Sequence, residues 1–266
     1  MESASYKRIV LIVAIAACAA LTWATAKPWL ESPLRFSGWL RPFWPALSVT
    51  VLAAVAGVSF CLLQSRWDRL AAILASWAMF IVFWQPDIWY VSALPLFALL
   101  WYESSRRMQD DMHDRRTMRI NAALGRGVKL ILLGAFLMVS VGFYLLPENR
   151  SADIGTLSRG VQGSLDDAYD SKLVRGQLDE LPVSLQTKFR NDIAQSVDEF
   201  FHDNLGRWSG FVPPFLAFAL FLALWSVSFI LREVAIWLGV LLFKFLRVVK
   251  FIRIEEKDVK AEVLML

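Results

Sequence analysis

The densest set of groups able to do chemistry is Asp110, Asp111, His113 and Asp114. Carboxylates and an imidazole this close together are suitable ligand types for a metal ion. Their neighbours point elsewhere. Arg106 and Arg107 stand four residues before Asp110 and Asp111, and Arg115 stands four after Asp111. Residues four apart share a helix face, so the cluster reads as charge pairing along an exposed helix. It has neither the glycine nor the ligand spacing of a calcium loop. Gly125-Arg126-Gly127-Val128-Lys129 lacks the spacer and the Lys-Ser/Thr ending of a phosphate-binding loop and reads as a flexible entry to the next apolar run. His113 and His202 are far apart, and Cys18 and Cys61 lie in apolar runs without metal-type spacing. No nucleophile elbow, zinc-protease motif or dinucleotide fingerprint occurs. The expectation is a non-enzymatic protein with no catalytic residue, metal or cofactor.

The composition says what must position these residues. Hydrophobic residues make up 57% of the 266-residue chain and charged residues 20%, with a mean hydropathy of +0.47. Soluble domains are about 45–50% apolar and about 25% charged. That excludes a soluble enzyme, a disordered chain and a disulfide scaffold, and points to a polytopic membrane protein.

Six uncharged stretches are candidates to cross a bilayer: 9–26, 42–65, 70–86, 88–102, 130–147 and 208–231. A hydrocarbon core of about 30 Å needs roughly 20 helical residues. None alternates like a barrel strand, so the fold class is an all-α membrane bundle of about six spans. The two short runs at 70–102 are split by Trp84-Gln85-Pro86-Asp87, which predicts a tight helical hairpin, with a re-entrant pair as the alternative. The first run predicts an uncleaved anchor; a cleaved signal or a lipidated N-terminus is the alternative. After Leu231, Lys244, Arg247 and Lys250 recur every three residues behind a short apolar run. This predicts an amphipathic interfacial helix and a short tail over 232–266, or else a seventh span. Strand-like alternation near the end suggests a short hairpin.

Orientation follows the basic residues. Segment 103–129 carries seven of them (Arg106, Arg107, Arg115, Arg116, Arg119, Arg126 and Lys129) against four acids. Segment 147–207 has eleven acids and seven bases. The N-terminus and 103–129 are therefore expected on the cytoplasmic side, and 148–207 outside, in what is read as a bacterial cytoplasmic membrane. Lys27, Arg35 and Arg41 lie on the nominal outside and oppose this assignment. The basic residues of 103–129, with Lys244, Arg247 and Lys250, are candidate contacts for anionic lipid. Nucleic acid is not expected, since 103–129 has no base-stacking aromatic.

Residues 148–207 form a small helical module between the bundle (1–147) and the last span (208–231). Leu185, Phe189, Ile193, Val197, Phe201 and Leu205 recur every four residues, giving one apolar helix face. That face either packs within the module or docks a partner, and other membrane or envelope proteins are the expected partner class. The favoured function is a structural or assembly subunit of a membrane complex. The alternative is a transporter or channel for a neutral or lipid-like solute, because the span cores carry no ionisable residue.

Overall fold

The computed structural model describes residues 2–30, 43–84, 88–113, 120–146, 192, 195–196 and 211–252. Among them all regular structure is helical: α1 (Glu2–Leu30), α2 (Phe43–Leu62), α3 (Arg66–Trp84), α4 (Ile88–His113), α5 (Ile120–Leu145) and α6 (Val212–Val248). Apolar runs without water must satisfy their own backbone hydrogen bonds, and a helix does so within one segment. Five helices are long and apolar enough to cross a membrane: α1, α2, α3, α5 and α6. The sixth, α4, is apolar only over Ile88–Tyr102, and its second half is charged. α3 stops at Trp84 and α4 starts at Ile88, on either side of Pro86.

Successive helices run in opposite directions, as their end contacts show. At one end lie the start of α1, the α2–α3 turn, the last turns of α4, the start of α5 and the end of α6. Arg8 pairs with Asp68 at 3.5 Å, and the Lys7 ammonium donates to the Phe251 carbonyl at 2.8 Å. At the other end Lys27 donates to the Phe83 carbonyl at 3.2 Å. There Trp84 fills the space over Gly142.

α2 is the central helix and touches α1, α4, α5 and α6. It buries small residues, among them Ala53, Ala54, Ala56 and Gly57, which let neighbouring backbones approach. Of the small residues in the first run, Ala19 is fully buried, whereas Ala16 and Ala20 are half-buried and Ala17 is exposed. Ile15, Ala19, Trp23, Ala26 and Leu30 form the α1 stripe into the core. Trp23 meets Phe80 edge to face at 5.0 Å.

α4 packs on α5 through large side chains set against glycines. Trp101 lies over Gly134, where an added Cβ would stand 2.7 Å from the indole. Met108 lies over Gly127 so closely that a Cβ there would collide with it. Gly125 and Gly127 are thus part of α5 and not the flexible entry that the sequence suggests. Trp101 is fully buried and donates to the Ile131 carbonyl at 3.1 Å.

α6 is one continuous helix of 37 residues, about 55 Å long at 1.5 Å per residue. The boundary that the sequence suggests after Leu231 does not appear as a break. Arg232 and Glu233 bond each other, and no proline interrupts the helix there. Its second half leans on α5 and α2 through Ala235, Ile236, Gly239 and Phe243. Gly239 makes room for Leu124 and Val58. The helix ends in a residue of left-handed conformation, Lys250 (φ 60°). Phe251 N–H donates to the Leu246 carbonyl and Lys250 N–H to the Arg247 carbonyl, the paired bonds of a Schellman stop. The suggested terminal hairpin falls almost wholly outside the described residues, and Phe251 belongs to this helix stop.

Candidate functional site

Two polar features stand out in an otherwise apolar bundle. The first is a buried layer at the end where α2 stops, α3 begins and the charged half of α4 lies. The Gln109 amide of α4 donates to three carbonyls at the end of α2: Phe60 (2.7 Å), Cys61 (3.2 Å) and Leu63 (3.2 Å). Last-turn carbonyls have no partner inside their own helix, so this side chain completes α2 from outside. Arg69 of α3 is buried, donates to the Ser105 carbonyl at 3.5 Å and lies over the Tyr102 ring. Ser104 donates to the Gly127 carbonyl at 2.9 Å.

Asp111 is buried, and Arg126 of α5 reaches it at 2.6 Å. This is the point at which the charge pairing differs from its sequence pattern. Arg106 does pair with Asp110 at 3.9 Å along α4. Arg107 turns back to Glu103 at 2.9 Å and leaves Asp111 to the next helix. Asp110 is exposed while Asp111 faces inward, so the aspartates do not converge. Among the described residues no three His, Cys, Asp or Glu side chains come together as a metal site. Asp114 and the side chain of His113 lie outside the described residues.

The second feature is a groove of about 370 Å³ between α5 and α6. Lys129 and Arg232 supply its cations, Ser226 and Ser228 its hydroxyls, and Trp225 and Phe229 its aromatic wall. The Lys129 ammonium sits 5.3 Å from the centre of the Trp225 ring. Nothing in the sequence brings these residues together, because about a hundred residues separate Lys129 from Trp225 and Arg232.

The predicted lipid-contact residues divide accordingly. Arg106 and Arg107 are exposed but paired along α4, and Arg126 is engaged by Asp111. Lys129 lines the groove, and Lys244, Arg247 and Lys250 are exposed towards the end of α6. Arg115, Arg116 and Arg119 lie outside the described residues. So do the predicted docking residues Leu185, Phe189, Ile193, Val197, Phe201 and Leu205. Asp192, Gln195 and Ser196, from the intervening positions, are helical and exposed.

No protein-family model, curated protein or solved structure matches this chain.

Proposed function

We propose that the chain is a non-enzymatic integral membrane protein, a structural or assembly subunit of a membrane complex. In this reading all six helices cross a bacterial cytoplasmic membrane, with the start of α1 and the end of α6 inside. Residues 148–207 stand outside as the partner-facing module. The reading rests on how five of the buried polar side chains are used: Gln109, Arg69, Ser104, Trp101 and Asp111 are engaged in tying helix to helix. A membrane enzyme would hold polar groups open to a substrate, whereas a scaffold uses them to fix its shape. A photo-crosslinker placed singly at Phe189, Val197 and Phe201 in native membranes tests it. Adducts to a second protein are expected; adducts confined to this chain would remove the partner-facing role.

A second reading, transport of a lipid-like solute, is favoured by the amphipathic groove between α5 and α6. It predicts that single cysteines along the inner faces of α2 and α5 react with a polar thiol reagent. Uniform protection would count against it.

A further inference from the structure

The groove carries an assignment more specific than general attraction to a charged surface. Lys129 is the last charged residue before the uncharged run 130–147, and Arg232 is the first after the uncharged run 208–231. α5 and α6 lie antiparallel in contact, so these two cations mark the same membrane boundary from opposite chain directions. Among the described residues no carboxylate pairs with Lys129, whose ammonium lies over the Trp225 ring. Glu233 holds Arg232 through Nε and Nη2, and among the described residues Nη1 makes no hydrogen bond. Glu233 itself does not line the groove.

Two donors of this kind at headgroup depth suit a phosphate oxygen cluster, which accepts charge-assisted hydrogen bonds. Ser228 adds a hydroxyl suited to glycerol or ester oxygens, and the Ser226 hydroxyl, which donates to the Ala223 carbonyl at 2.7 Å, can accept from a glycerol hydroxyl. The rest of the wall is Leu132, Trp225 and Phe229, and Phe229 is 63% exposed on a helix whose outer face also shows Leu222 and Phe218. A free inorganic anion has no use for such a wall, whereas an acyl chain does. We infer that the α5–α6 groove is a binding site for one anionic phospholipid, its phosphate held between Lys129 and Arg232 and its chain laid along Phe229.

Native mass spectrometry of the full chain in mild detergent tests this, with dioleoyl-phosphatidylglycerol, dioleoyl-phosphatidylcholine and inorganic phosphate titrated separately. One saturable phosphatidylglycerol adduct is expected at concentrations where phosphatidylcholine leaves none. Lys129→Gln and Arg232→Gln should each weaken it about fivefold. Ser228→Trp, which fills the groove without changing charge, should weaken it as well. Lys244→Gln, an equal loss of charge outside the groove, should leave it unchanged. Equal binding of both lipids would overturn the proposal. So would an equal loss in Lys244→Gln, which would mean diffuse attraction, or full competition by millimolar phosphate, which would make the site one for a free anion. The side chains replaced are at least partly exposed, and a retained far-ultraviolet circular dichroism spectrum separates lost binding from lost fold.

Discussion

Arg107 and Arg126 belong to the same basic segment and have different energetic standing. Arg107 meets an exposed Glu103 along one helix, an arrangement worth less than about 1 kcal/mol. Arg126 reaches from α5 to Asp111, whose side chain is only 6% exposed. Removing a partner from a buried acceptor costs about 1–3 kcal/mol, because the group has already given up its water. Arg126→Ala should therefore lower the melting temperature in detergent clearly, and Arg107→Ala hardly at all. Equal effects would mean that Asp111 does not depend on this pair. The i,i+4 spacing made the intrahelical pairing legible in the sequence. It did not show which aspartate turns inward, since that depends on where α5 lies.

At the scale of the element, the helices were legible because each uncharged run had the length a helix needs, and Pro86 marked the break between α3 and α4. Their contacts were not. Glycine read as weakness at 125 and 127, because propensity is a property of one helix and packing is a property of two. The two effects can be separated within α5. At Gly125 an added Cβ has open space, so Gly125→Ala should stabilise by up to about 1 kcal/mol. At Gly134 it would press on Trp101, which is buried and bonded to Ile131. Overpacking of this sort costs about 1–3 kcal/mol and outweighs the gain in propensity. Gly134→Ala should therefore destabilise; thermal unfolding of the two variants side by side should show opposite signs. A stabilised Gly134→Ala would mean that α4 shifts freely on α5. The length of α6 was hidden for a related reason. Arg232-Glu233 looks like a boundary in a hydropathy scan, but the two charges satisfy each other without disturbing the backbone.

For the molecule as a whole, the alternating helices bring Lys7 against Phe251. In the proposed reading, the start of α1 and the end of α6 then lie on the same side of the membrane. In a background carrying Cys18→Ala and Cys61→Ala, single cysteines at Tyr6 and Val249 should react with an impermeant thiol reagent in inverted vesicles and stay protected in intact cells. Reaction from opposite sides would rule out an even number of crossings between them. The bias of basic residues leads to the same expectation. The groove between α5 and α6 had no counterpart in the sequence, because Lys129 and Arg232 become neighbours only once two antiparallel helices are in contact.

The bond from Gln109 to the end of α2 also has a consequence in time. The carbonyls of Phe60, Cys61 and Leu63 are made 46 to 49 residues before the side chain that completes them. At about 5–20 residues per second, synthesis leaves an interval of about 2–10 s. During that interval those carbonyls must find other partners, such as water. The arrival of α4 completes the end of α2 before α5 and α6, which also pack on α2, have been made.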